Sequence, residues 1–437
     1  MKRIFKYNFV NALQIFLAFI FQLLFARHFG ASQFTDAYFV SIAILNFLLT
    51  IEASFTEMFI QYYNDVKVDD PNEAKRFYQA VFNFSLLTGI ASFILSISLM
   101  GSIIKVFALG FDAGRMMVLK SFFSILVFSL IWTRLTVLNN CLINAEMRFM
   151  LPYLIGLLTP GFNIVSLLLF TEDFGINAIA VSILISGITG LVFQQVYILK
   201  TLDISLGMRL WHPKFKELIK KSLLMRFGHQ VWDLKDLITT NVLSHFPPGT
   251  VSLYSYASRI ISILFGITNT PVFQIFSSEV SRLVSERDFL RVRSLLKRIL
   301  TINTGLCLMV LIPFAVVLPG FMGFFFAEKF SAEEIKTIHY VFLALIPFYL
   351  ILSIEMPLAN ISIAMKQSLQ IIKIDIVFIV IFGALALILI KSLGIYAIPV
   401  ALIVAQTQNL IGYALNVRKV LYYSPGGVDV SESESLR

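Results

Sequence analysis

Apolar runs of about 20 residues, each closed by a short polar connection, recur from one end of this 437-residue chain to the other. A helix of that length matches the roughly 30 Å hydrocarbon core of a bilayer. Inside a bilayer every backbone donor and acceptor must be satisfied by the chain itself, so such runs fold as helices. A barrel would instead need strands of about 10 residues alternating polar and apolar, a pattern absent here. Only 14% of the residues are charged, against about 25% in a soluble chain, too few to cover a surface facing water. The expected fold class is all-α: a polytopic integral membrane protein with about 12 transmembrane helices in two six-helix bundles around a central cavity.

The spans fall near 7–26, 37–62, 77–104, 121–144, 151–171, 175–199, 217–244, 251–280, 299–325, 338–363, 370–390 and 394–416. With the N-terminus inside, 24 Lys and Arg residues lie on the cytoplasmic side and seven outside. The positive-inside rule then sets both termini in the cytoplasm. The formal charge of +9 is read as this orientation signal, and no nucleic-acid partner is expected. The start, MKRIFKYNFV, resembles the basic end of a signal peptide; with no small-residue cleavage site after it, it reads as an uncleaved first span. Cys141 and Cys307 both fall in spans, and neither zinc spacing nor a CxxC occurs, so no metal or cofactor is expected.

The most basic connection between spans, TLDISLGMRLWHPKFKELIKK at 201–221, sits at the midpoint. The expected organisation is an N-terminal six-helix bundle at 1–200, a basic interfacial linker at 201–216, a C-terminal six-helix bundle at 217–420 and a cytoplasmic tail at 421–437. HFGASQFTDAYF at 28–39 is echoed by HFPPGTVSLYSYA at 245–257. Each is a short external hairpin leading into a span, as in transporters built from two parallel repeats.

Polar side chains inside a membrane are costly, so their positions carry information. In the eighth span Ser255, Ser258, Arg259, Ser262, Gly266 and Asn269 recur at three- and four-residue spacing, on one helical face. Arg259 lies about two turns inside, too deep to snorkel with ease. Such a face is either a small-residue helix contact or a hydrated cavity wall offering a cation to an anionic substrate. In the seventh span Arg226, His229, Gln230, Asp233, Asp236 and Thr240 share a face, with Lys235 directed roughly the other way. Milder polarity marks the first span (Asn8, Asn11, Gln22), the second (Asn46, Thr50, Glu52, Ser54, Glu57) and the fourth (Arg134, Asn140, Asn144). The first, second, seventh and eighth spans occupy matching positions in the two halves, which favours a cavity between them. Glu355, near Pro357 and Asn360, and Asp375 read as isolated acids: structural, or ligands of a coupling cation.

Three stretches carry a resemblance: FARHFGASQFTDAYFVSIAILNFL at 25–48, NNCLINAEMRFMLPYLIGLLTPGFNI at 139–164, and GTVSLYSYASRIISILFGITNTPVFQIFSSEVSRL at 249–283. In order and spacing they resemble the MurJ/MviN family of lipid-linked saccharide flippases, within the larger superfamily of multidrug and polysaccharide exporters. The resemblance implies two six-helix lobes around a V-shaped cavity, opened to either side in turn, that binds a polyprenyl diphosphate saccharide. By position, Asp36 matches the acid after the first hairpin and Arg259 a cavity arginine. The family's lipid II transporters carry several arginines in their first two spans; this chain has none between Lys6 and Arg27 or between Asp36 and Lys67. The expected substrate-binding set is Arg259, Arg226, Asp36, Ser255, Ser258, Ser262, Asn269, Gln230, Asp233, Asp236, Arg134 and Glu52.

The expected function is movement of a polyprenyl-diphosphate-linked saccharide, a peptidoglycan precursor or polysaccharide repeat unit, from inner to outer leaflet without covalent chemistry. The expected partners are that lipid, membrane lipids, and a coupling cation or the membrane potential, with the protein a monomer in a bacterial inner membrane. A potential positive outside contributes about 2.3 kcal/mol per charge per 100 mV and favours outward movement of an anionic head. Rival readings are a drug–cation antiporter, to which Glu52, Asp233 and Asp236 lend acids, a non-transporting scaffold, and a membrane-bound glycosyltransferase. The polar stripes of the seventh and eighth spans argue against the scaffold, and the short basic loops against the glycosyltransferase.

Overall fold

The computed structural model describes the backbone of residues 2–365 and 367–423, and the side chains among them except 2–8, 50–57, 220–233, 271, 274, 368, 420, 422 and 423. The helices in chain order are α1 (Lys2–Phe29), α2 (Gln33–Asp69), α3 (Pro71–Ser98), α4 (Met100–Phe107), α5 (Ala113–Leu126), α6 (Ser129–Ala145), α7 (Met150–Gly156) and α8 (Leu158–Leu169). They continue with α9 (Thr171–Phe174), α10 (Asn177–Thr201), α11 (Pro213–Ser244), α12 (Thr250–Ser285), α13 (Phe289–Phe326), α14 (Ala332–Ala364), α15 (Ser368–Leu393) and α16 (Ala397–Tyr423). Among the described residues no strand occurs.

Eight stretches among the described residues are long and apolar enough to cross a bilayer, or nine if α5 and α6, bent by 44°, cross as one. One of the eight, Leu369–Lys419, holds both α15 and α16; the chain turns between them at Gly394, whose φ is +56°. α2 and α11 have undescribed side chains along part of their length. The expected count of about 12 spans is compatible with this arrangement. On α13, Phe324 is 83% exposed and Val316 78%, surfaces that only lipid can solvate at low cost.

Local chemistry accounts for where the helices start. α1 stops at Phe29, Gly30 takes φ +60°, and Ser32 caps α2 in a capping box with Thr35. Asp70 caps α3 with its carboxylate on the Asn72 amide at 2.8 Å, and Pro71 occupies the first helical position, where no amide is needed. Asp112 caps α5 through the Arg115 amide at 2.9 Å. That backbone bond, followed by the Arg115 side chain, holds the Asp112 carboxyl below the usual range.

The chain divides into two compact units. The first is Met1–Ser252 with Phe325–Ser331; the second is Leu253–Phe324 with Ala332–Arg437. In the first unit α2 packs along α3, α5, α6 and α11. α11, the expected opening helix of the second bundle, thus belongs to this unit. A core of Phe59, Phe77, Tyr78, Leu138, Leu142 and Phe215 joins α2, α3, α6 and α11, with the Phe59 and Phe77 rings stacked at 5.6 Å. The segment before α11 lies on α3: Gln79 donates to the Ser205 carbonyl at 2.7 Å, and Asn83 to the carbonyls of Gly207 and Arg209. In the second unit α16 packs along both α14 and α15, and Phe276, Val292, Leu358, Ile361, Tyr413 and Val417 form its core.

Candidate functional site

The second unit carries most of the eighth-span face. Ser255, Ser258 and Arg259 are half-buried and Ser262 is exposed. Arg259 sits nine residues beyond Thr250, about 14 Å along the helix. Ser262 Oγ donates to the Ser258 carbonyl at 2.7 Å and shares a hydrogen bond of 2.5 Å with the Tyr349 hydroxyl of α14. Gly266 offers open space where a Cβ would stand. Asn269 departs from this pattern. It is 3% exposed, and its amide nitrogen is spent on the Phe265 carbonyl of its own helix at 3.1 Å and on Thr268 Oγ1 at 2.9 Å. The accessible part of the face therefore runs from Ser255 to Gly266.

On α11 the side chains of Arg226, His229, Gln230 and Asp233 lie outside the described ones, as do those of Asn8, Thr50, Glu52, Ser54 and Glu57. Asp236 is exposed and its carboxylate meets Lys235 Nζ at 3.2 Å. Lys235, expected to point away from that face, instead reaches its acid. The reason is the length of the side chain: four methylenes let an ammonium cross from one flank of a helix to the next. Thr240 is buried and donates to the Leu237 carbonyl at 3.0 Å.

Asp36 and Arg134 are deep in the first unit. Asp36 is fully buried. Its Oδ2 accepts from the Gly249 amide at 2.7 Å and its Oδ1 from the Ser252 amide at 2.8 Å, with the Ser252 hydroxyl also bonded to it. Ser252 Oγ also meets Thr35 Oγ1 at 2.7 Å. Asp36 thus satisfies orphan donors at the start of α12, the task an N-cap carboxylate performs, supplied here from another helix. Expected as a substrate contact, it is a structural tie in this conformation. Arg115 stands nearby: 5% exposed, it donates to Asp112 at 3.0 Å and to the carbonyls of Phe246 at 2.9 Å and Gly110 at 3.1 Å. Arg134 is also 5% exposed, with a guanidinium nitrogen 3.5 Å from the Leu48 carbonyl of α2. Its stem passes the site of Gly89 on α3, where a Cβ would stand 3.7 Å from Arg134 Cδ.

Glu355 and Asp375, read from sequence as isolated, belong to one buried cluster of the second unit. They are 4% and 5% exposed and close enough to interact electrostatically. α16 supplies a donor to each: Gln406 Nε2 to Glu355 at 3.2 Å and the Tyr413 hydroxyl to Asp375 at 3.0 Å. Between them on the same face, Asn409 is 1% exposed, with neither amide atom hydrogen-bonded. The sequence signal for this cluster is the run Gln406, Asn409, Tyr413, Asn416 at three- and four-residue spacing. Thr35, Ser252 and Arg115 carry no such signal, because their partners are distant in the chain. No group of three or more His, Cys, Asp or Glu suited to a metal ion occurs among the described residues.

Residues 25–434 match the family described as Lipid II flippase MurJ. A probable lipid II flippase MurJ of Buchnera aphidicola subsp. Acyrthosiphon pisum is 25% identical over 283 residues, spanning 61% of this chain and 54% of that protein. The lipid II flippase MurJ of Burkholderia cenocepacia is 24% identical over 281 residues, again 61% of this chain and 54% of that protein. The chain spans about half the length of the curated relatives it matches. Among solved structures, a lipid II flippase MurJ in an inward closed conformation superposes with a TM-score of 0.83 at 18% identity, covering 95% of this chain and 87% of that one. An inward-facing multidrug resistance MATE family transporter of the MOP superfamily gives 0.78 at 14% identity, covering 96% and 99%. At these identities the structural likeness speaks for the fold.

Proposed function

This chain is a member of the lipid II flippase MurJ family, and from that premise we propose that it moves a polyprenyl-diphosphate-linked saccharide between leaflets by alternating access. The observation that carries the proposal is Arg259, a half-buried cation inside a membrane-crossing helix, flanked by Ser255, Ser258 and Ser262. A cation there costs free energy, and a diphosphate head returns it through charge-assisted hydrogen bonds. By the sequence reading, Arg226, Gln230, Asp233, Asp236, Arg134 and Glu52 belong to the same proposed binding set.

In the proposed organisation the two six-span repeats meet in sequence at the basic linker 201–216, with α11 packed into the first unit; both termini face the cytoplasm, and the protein acts as a monomer of a bacterial inner membrane. The movement breaks no covalent bond. Glu355 and Asp375, backed by Asn409, are suited to hold a proton or small cation coupled to the cycle, with the membrane potential as the other source of drive.

Proteoliposomes carrying the purified protein and a fluorescent polyprenyl-diphosphate disaccharide test this directly. Transfer of the label to the opposite leaflet, lost in Arg259→Ala, is the expected result. The likeness to multidrug transporters gives the second reading, a drug–cation antiporter; movement of organic cations with no movement of the lipid-linked sugar would establish that one instead.

A further inference from the structure

Where α13 begins and α16 ends, the second unit contains a cleft of about 620 Å³. Arg293 and Lys297, one turn apart on α13, and Arg418 of α16 line it, together with Leu300, Leu358 and Val417. Leu358 and Val417 belong to the apolar core of the unit, whereas Lys297 and Arg418 are exposed. One side of the hollow is therefore cationic and the other apolar. Among the described residues that line it there is no carboxylate.

We propose that this cleft is a lipid site: the phosphate head of an anionic lipid sits among Arg293, Lys297 and Arg418, and its hydrocarbon tail lies on Leu300, Leu358 and Val417. Orientation by the positive-inside rule explains basic residues at this end of the helices, but not their convergence from two helices on one apolar hollow. The dipole of α13 does not explain Arg293, because a cation near the start of a helix opposes it. Nearby arginines pair with acids of their own helical turns. Arg282 is paired with Glu279 at 2.6 Å and Glu286 at 2.8 Å, and Arg291 with Asp288 at 3.2 Å. In the cleft, Arg293 donates to the Leu421 carbonyl, which anchors its stem near the end of α16.

A phosphate oxygen matches guanidinium donors in charge and geometry, and the volume lies within the range of small-molecule pockets. A second hollow of about 460 Å³ shares Ser294 and Lys297 with the first and adds Arg298 and Thr301. Lys297 therefore stands between two hollows, positioned for a head with more than one phosphate or for a neighbouring anionic lipid. The site lies wholly within the second unit and does not depend on the proposed transport role.

The test is lipid retention by the purified full-length chain in native mass spectrometry, with farnesyl diphosphate, phosphatidylglycerol, phosphatidylcholine and inorganic phosphate as separate probes. The two anionic lipids are retained at least about tenfold better than phosphatidylcholine, and the paired substitution Lys297→Gln, Arg418→Gln removes that preference. Both positions are exposed, and an unchanged elution profile and helix content verify the fold of the variant. Leu300→Trp, which fills the hollow and leaves the charges in place, lowers retention of both lipids. Preference for the isoprenoid diphosphate identifies the source as a polyprenyl carrier; preference for phosphatidylglycerol identifies it as bulk phospholipid. Retention of phosphatidylcholine equal to the anionic lipids, or of inorganic phosphate equal to them, overturns the proposal, as does an unaltered preference in the paired variant.

Discussion

The carboxylate of Asp36 and the backbone amide of Gly249, 213 residues apart in sequence, meet at 2.7 Å. Gly249 adopts φ +93°, and a Cβ there would stand 2.8 Å from the Ala31 carbonyl oxygen. Only glycine brings the backbone this close to the first hairpin, so the acid and the glycine work as a pair.

Asp36→Ala strands the buried amides of Gly249 and Ser252, at about 1–3 kcal/mol each. Asp36→Asn retains one acceptor but turns an amide nitrogen toward a donor, and falls between wild type and Ala. Gly249→Ala destabilises in the same direction through strain and the Ala31 contact. Thermal unfolding in detergent measures all three; an Asp36→Ala midpoint equal to wild type would refute the tie.

Arg259→Ala lowers transfer of the lipid-linked saccharide about tenfold or more, because a hydrogen bond to a charged group contributes about 1.5–3 kcal/mol and about 1.4 kcal/mol is a factor of ten. Arg259→Lys restores part of the rate by returning the charge without the bidentate geometry. Membrane insertion stays unchanged. Equal transfer by wild type and Arg259→Ala contradicts the role.

Histidine 212 makes the junction before α11 sensitive to acid. Its Nδ1 accepts the Lys214 amide at 3.2 Å, and its Nε2 faces Glu73 at 3.4 Å. Burial holds the imidazole below its ordinary range, with the neighbouring Glu73 carboxylate opposing that shift in part. The net direction agrees with the geometry, since a second proton would have to go on Nδ1 and remove the cap. With the folded value below the unfolded one near 6.5, the unfolded segment binds more protons in acid. The contribution is therefore complete above about pH 6.5 and is lost as pH falls through the lower folded value. The protection of residues 203–219 against hydrogen exchange, after allowance for the slower intrinsic exchange in acid, falls between pH 7 and 5 by this mechanism. His212→Asn keeps a cap that does not titrate and removes the His-dependent part of the change; the same pH response in that variant contradicts the assignment.

Glu355→Gln and Asp375→Asn each remove one ionisable carboxyl from the buried cluster with little change in volume. If the cluster couples an ion to transport, either substitution abolishes the response of transfer to an imposed proton or sodium gradient while downhill movement continues. Tyr413→Phe withdraws a donor from Asp375 and lowers stability by about 1–3 kcal/mol. A gradient response preserved in both carboxyl variants rules out coupling at this place.

The helices were legible in the sequence, though their ends shifted by several residues, because the interactions that form them are local. A bilayer obliges each apolar run to satisfy its own backbone, and caps such as Ser32 with Thr35 or Asp70 with Pro71 act within one turn. The spacing of Ser255, Ser258, Arg259 and Ser262 likewise marks one face of α12, since 3.6 residues per turn holds in any surroundings.

Tertiary packing alone decided which polar groups would be consumed by the fold. Asp36 looked like a substrate contact until α12 delivered Gly249 and Ser252 to it. Glu355 and Asp375 looked solitary until α16 ran between their helices with a donor for each. A side chain's partners depend on which helices pack beside it, and contacts across dozens to hundreds of residues leave no periodic trace along the chain. Periodicity can say which way a group faces; only the neighbours that arrive there determine whether it is spent or still available.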